Sequence, residues 1–217
     1  MTPLEFLHLL KENNNREWFN ENKHHYLEAR EQFIAVVDQL IEGITRFDPA
    51  ICGNTGKDAV YRIYRDVRFS KDKSPYKGYF SAYIAPGGRK SNLAGYYIHF
   101  EPDGCLAGGG LHCPKNDELK EIRFEIYNHV DEFGRIIGSS DFKRLFGELW
   151  GEKLKRPPKG FPKEFPQIEW LKHKKYLMLH RFPESKTKEE HFVNYVLNVF
   201  QKMKPLNDFL NRAVGNE

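Results

Sequence analysis

The chain has 217 residues, 40% of them hydrophobic and 29% charged, with a mean hydropathy of −0.68. This balance excludes a disordered polyelectrolyte, and apolar runs such as Phe33 to Val37 fall far short of the roughly 20 residues of a bilayer-spanning helix. The net charge of +4 names no partner by itself, but between Tyr61 and Lys77 six cations stand against two anions, an excess equal to that of the whole chain.

A chain of this length buries a core in one domain, expected to span residues 1–217. The first ten residues lack the basic start and small-residue cleavage site of a secretory signal, and Cys52, Cys105 and Cys113 are few and widely spaced. Both features predict a cytoplasmic protein with reduced thiols and no structural disulfide.

Taken in order, Leu4, Leu7 and Leu10 recur at helical spacing behind Pro3, and Asn13-Asn14-Asn15 stops that helix. Asn14 and Glu17 have the spacing of a capping box for a long second helix, with Phe19, Tyr26, Phe33, Val37, Leu40 and Ile44 as its apolar face and Pro49 beyond its end. Alternation then predicts a strand from Tyr61 to Phe69, with Ile63 and Val67 on one side, Arg65 intruding among them, and turn formers from Ser70 to Pro75.

Tyr79 to Ala85, Gly95 to Glu101 and Cys105 to Leu111 read as strands in hairpin succession, punctuated by Pro86-Gly87-Gly88 and Pro102-Asp103-Gly104. Helical spacing returns from Lys115 to Val130, followed by shorter helical pieces to Trp150. The proline-rich basic stretch Lys153 to Lys163 is a loop, and Tyr176 to Phe182 is another strand. Thr187 and Glu190 suggest the cap of a final helix with a stripe through Phe192, Val196, Val199, Met203, Leu206 and Leu210, kinked at Pro205. The expected class is α+β: an antiparallel sheet of about four to six strands packed against several helices, with long helices at both ends.

The segment from Tyr61 to Lys77 is the best candidate for chemistry. Guanidinium groups hold phosphate or carboxylate in a two-point fork, lysines add point charge, and hydroxyls supply donors. The candidate ligand-binding residues are therefore Arg62, Arg65, Arg68, Ser70, Lys71, Lys73 and Lys77, with Lys155, Arg156 and Lys159 from the second basic stretch completing a wall. The ligand class is an anionic small molecule, phosphorylated or otherwise, or a nucleic acid. An enzyme of phosphoryl- or acyl-transferring or hydrolytic type is the alternative, with Asp66 or Asp72 as general base, and a module docking an acidic protein is a third. The bland counterpart is a solvated network of Arg–Asp and Lys–Asp pairs.

Other features are weaker. Gly108-Gly109-Gly110 indicates a bulge or a close approach of backbones and lacks the lysine and hydroxyl of a P-loop. His99, Cys105, His112 and Cys113 have no metal-site spacing, and neither a metal nor a cofactor is expected. Trp18, Phe19 and Tyr26 read as core, and His24-His25 as solvent-facing.

The run from Tyr61 to Lys77, with its Arg65-Asp66-Val67-Arg68-Phe69-Ser70 stretch, resembles the signature of the family catalogued as domain of unknown function 2461. Phe6-Leu7, Asn13-Asn14, Arg16, Trp18-Phe19, Asn22-Lys23, the glycine run before Pro114, and Arg156 to Phe161 are also similar to features of that family. The resemblance covers nearly the whole chain. It implies membership of a family without an assigned activity, and so names no catalytic residue.

Overall fold

The computed structural model describes residues 1–149 and 151–215; Trp150, the expected limit of the short helical pieces, lies outside them. Helix α1 (Pro3–Glu12) opens on a capping box between Thr2 and Glu5. The long second helix is two helices, α2 (Arg16–Glu21) and α3 (Lys23–Thr45), divided at Asn22. The α2 cap is Asn15, which accepts from the Trp18 N–H at 2.9 Å; it replaces the expected Asn14–Glu17 box because Asn14 is engaged across the molecule. A single helical turn, α4 (Gly56–Ala59), leads to strands β1 (Phe80–Ile84), β2 (Gly95–Phe100) and β3 (Cys105–Leu111). Helices α5 (Asn116–Asn128), α6 (Val130–Gly138), α7 (Ser140–Phe146) and α8 (Ile168–Leu171) precede β4 (Tyr176–Phe182) and α9 (Phe192–Val214).

The four strands form one antiparallel sheet in the order β1-β2-β3-β4. The α+β architecture, the three hairpin-linked strands and the long terminal helices thus match the sequence pattern. Two boundaries differ. Thr187 lies in a 3-10 turn, where its hydroxyl donates to the Glu184 carbonyl, so α9 begins at Phe192 without that cap; Pro205 lies inside α9, as expected. Residues 61–69 are not a strand.

Alternation gives the sheet two unlike faces. Phe80, Ala82, Tyr96, Ile98, Phe100, Ala107 and Met178 point at the helices, where Phe33 meets Phe80 at 5.6 Å and Phe100 at 5.0 Å between ring centroids, and Tyr96 meets Phe200 at 5.2 Å. Each of these large side chains contributes roughly 1.5–3 kcal/mol by leaving water. Residues of the other parity, among them Tyr83, Tyr97, Leu106 and Leu179, stand outside that apolar cluster.

The glycine run sits in the middle of the sheet, and close approach explains it. A Cβ on Gly109 would collide with the Gly95 carbonyl and press on Met203 of α9, and Gly110 has a φ of +108° that side chains resist. All three cysteines are free thiols, with Cys105 buried in the core. Among the described residues no helix is long and apolar enough to cross a membrane.

Candidate functional site

Residues 61–79 enter and leave the sheet edge as an irregular hairpin. The Tyr61 N–H donates to the Ser81 carbonyl at 2.9 Å, Lys77 N–H to Ile63 at 2.8 Å, and Arg65 N–H to Pro75 at 3.0 Å, with a single ladder contact between Tyr64 and Tyr76. Pairing stops there, which corrects the expected strand to Phe69. The acidic side chains compete for the backbone: Asp66 accepts from the Arg68 N–H and Asp72 from the Ser74 N–H, each closing a tight turn that a ladder excludes.

Two anchors hold this hairpin against the helices. Ile63 is buried, and the Tyr76 ring stacks on Phe19 of α2 at 3.8 Å and an interplanar angle of 14°. The Asn14 side chain then grips the Tyr76 backbone from both sides, donating to its carbonyl at 3.0 Å and accepting from its N–H at 3.2 Å. An amide is suited to this role because it carries a donor and an acceptor on one planar group.

Between the hairpin and the sheet edge lies an open cleft of about 590 Å³, lined by Asn14, Arg62, Tyr64, Arg65, Asp66, Asp72, Ser74, Tyr76, Lys77, Gly78, Tyr79 and Glu101. Of the cations expected to bind a ligand, it brings together Arg62, Arg65 and Lys77. Arg65 is already occupied: it makes a short ion pair with Asp72, donates to the Ser74 carbonyl at 3.2 Å and approaches the Ser70 hydroxyl at 3.4 Å. Ser70 thus faces Arg65 as an acceptor.

Arg68 forks onto Asp66, with its Nη2 at 2.7 Å from Oδ2, and Lys73 donates to the Val67 carbonyl at 3.0 Å. Neither residue lines the cleft, and Lys71 stands exposed beside them. Lys155, Arg156 and Lys159 are exposed on the 153–163 loop, which packs through Phe161 on Phe124 and Tyr127 of α5 and supplies nothing to the cleft.

Of the cations that line the cleft, Arg62 and Lys77 differ from Arg65. Among the described residues neither has a carboxylate within ion-pair distance. Lys77 is half-buried between two rings, its ammonium 5.4 Å from the centroid of Tyr61 and 5.7 Å from that of Tyr79. Burial pushes its pKa down, and the charges of Arg62 and Arg89 add to that push. Like charges held together without a carboxylate at ion-pair distance are an arrangement that an incoming anion relieves.

The two aspartates are poor bases. The Ser74 backbone and hydroxyl, and then Arg65, hold the Asp72 carboxyl far below its ordinary range, and the Arg68 guanidinium and N–H lower that of Asp66. A carboxylate so stabilised gives up little on remaining ionised and has a weak pull on a proton.

The far wall of the cleft is Glu101, just beyond β2. It ends a chain of side chains along one strand face at alternate positions: Tyr97 donates to His99 Nδ1 at 2.8 Å, and His99 Nε2 donates to Glu101 Oε2 at 3.1 Å. The carboxylate can only accept, which fixes this tautomer. Burial lowers the His99 pKa, so the imidazole is neutral near pH 7, and Tyr79 stacks on it at 4.3 Å. Sequence reasoning did not single out Glu101; the i, i+2 spacing of Tyr97, His99 and Glu101 on a strand was its only signal. Among the described residues no group of three or more His, Cys, Asp or Glu side chains is arranged to hold a metal ion.

A family model described as a conserved hypothetical protein, DUF2461, matches residues 2–209, and the chain belongs to that family. No curated protein and no solved structure matches it.

Proposed function

We propose that this member of the DUF2461 family binds an anionic ligand in the cleft between the 61–79 hairpin and the sheet edge, with Arg62 and Lys77 supplying the charge. The observation that carries this reading is that these two cations line one cleft without a carboxylate of their own. Arg65, fixed by Asp72 and Ser74, shapes the wall between them. A planar guanidinium and a partly desolvated ammonium suit a phosphate or carboxylate head group.

Titration with inorganic phosphate at low salt tests the proposal. The wild-type protein takes it up, Arg62→Ala and Lys77→Met each weaken it about tenfold, the loss expected for one charged hydrogen bond, and Lys71→Ala, outside the cleft, leaves it unchanged. No uptake by the wild type, or equal loss in Lys71→Ala, would contradict it.

A second reading rests on Phe69, which is 96% exposed at the hairpin tip next to Arg68, Lys71 and Lys73. An apolar ring among cations suits docking of an acidic protein partner. Phe69→Ser would abolish that docking and leave phosphate uptake intact.

A further inference from the structure

Glu101 is out of place in a cleft built for an anion. The other two carboxylates of the lining, Asp66 and Asp72, are neutralised by Arg68 and Arg65. Glu101 has no cation within ion-pair distance other than the His99 ring, and its second oxygen, Oε1, is without a hydrogen-bond partner among the described residues. The side chain is half exposed, so that oxygen is reachable from solvent.

Its direction is set from behind: the Tyr97–His99 pair consumes Oε2 and Tyr79 braces the imidazole. A phosphomonoester without a further donor, placed on Arg62 and Lys77, would meet this negative charge as a repulsion. An anion that also carries a hydroxyl turns the same group into an acceptor, and a hydrogen bond to a carboxylate is stronger than one between neutral partners.

Building on the anion-binding reading above, we propose that the ligand is a hydroxyl-bearing phosphomonoester of the sugar-phosphate class, its phosphate on Arg62 and Lys77 and a hydroxyl donating to Glu101. The exposed Tyr64 ring in the same lining offers an apolar surface to the carbon skeleton. Glu101 is a specificity residue in this scheme: it weakens, without abolishing, the binding of anions that have no further donor to offer.

Calorimetric titration with two probes that share a phosphomonoester head, ribose 5-phosphate and ethyl phosphate, separates the outcomes. The wild type is expected to prefer ribose 5-phosphate roughly tenfold, the scale of one charge-assisted hydrogen bond. Glu101→Ala is expected to move the two affinities in opposite directions, weakening ribose 5-phosphate and tightening ethyl phosphate as the repulsion is removed. Glu101→Gln, which keeps an acceptor and loses the charge, tightens ethyl phosphate while retaining part of the preference. A misfolded variant cannot produce opposite shifts. Equal affinity of the wild type for both esters, or a parallel weakening of both in Glu101→Ala, overturns the inference and leaves the anion cleft standing. Failure of the wild type to bind either ester overturns the cleft reading itself.

Discussion

The two basic stretches, residues 61–77 and 153–163, look alike in charge but are built differently. In the first, Arg65 and Arg68 have aspartates within seven residues, Lys73 caps a carbonyl, and the whole hairpin is clamped on Tyr76 by Phe19 and Asn14. In the second, Lys155, Arg156 and Lys159 project from a loop held at its base by backbone bonds from Leu154 to Lys172 and from Lys174 to Glu152. Charge density along a sequence therefore overstates the charge offered to a ligand wherever acids are interleaved. What counts is a cation left without a partner in a concave place, and the first stretch provides two, Arg62 and Lys77.

This contrast can be broken at several points. Tyr76→Ala should have the largest effect, because it removes a buried ring stacked on Phe19; truncations of this kind cost about 3–5 kcal/mol, read from chemical denaturation. Asn14→Ala should cost about 1–3 kcal/mol by leaving the Tyr76 N–H and carbonyl without their partner, and should weaken phosphate uptake through the displaced hairpin.

Asp72 gives a pH signature. Its folded pKa lies below the ordinary 3.8, so the stabilisation it brings is complete above about pH 3.8 and is lost as the pH falls through the folded value. The stability difference between wild type and Asp72→Asn should be constant from neutral pH down to about 4 and shrink only in stronger acid. A difference that vanishes already at pH 6 would show that the pair with Arg65 is not formed. The smallest effect belongs to the second stretch: Lys155→Ala with Arg156→Ala should change stability by less than about 0.5 kcal/mol, as substitutions of exposed side chains do.

The parts of the fold legible in the sequence are those governed by local rules. Alternation and the Pro102-Asp103-Gly104 turn specified β2 and β3, and the leucine spacing specified α1. Residues 61–69 imitated a strand because Ile63 and Val67 have the right period, while the aspartates that close turns on the backbone gave no periodic signal. Asn14 has the local spacing of a helix cap, while its actual partner is 62 residues away and no local pattern reports it. Lys77 was legible as a cation, but its place between Tyr61 and Tyr79 needs the β1 edge to be folded. Glu101 was hidden for the same reason, as its meaning depends on the hairpin that faces it.

The most direct test of the anion cleft is a phosphate titration followed by 15N-resolved NMR at low salt. Shifts that saturate together at Arg62, Lys77, Gly78 and Tyr79, with residues 155–160 unmoved, are the expected result. Shifts concentrated at Lys155, Arg156 and Lys159, with Arg62 and Lys77 unmoved, would contradict it.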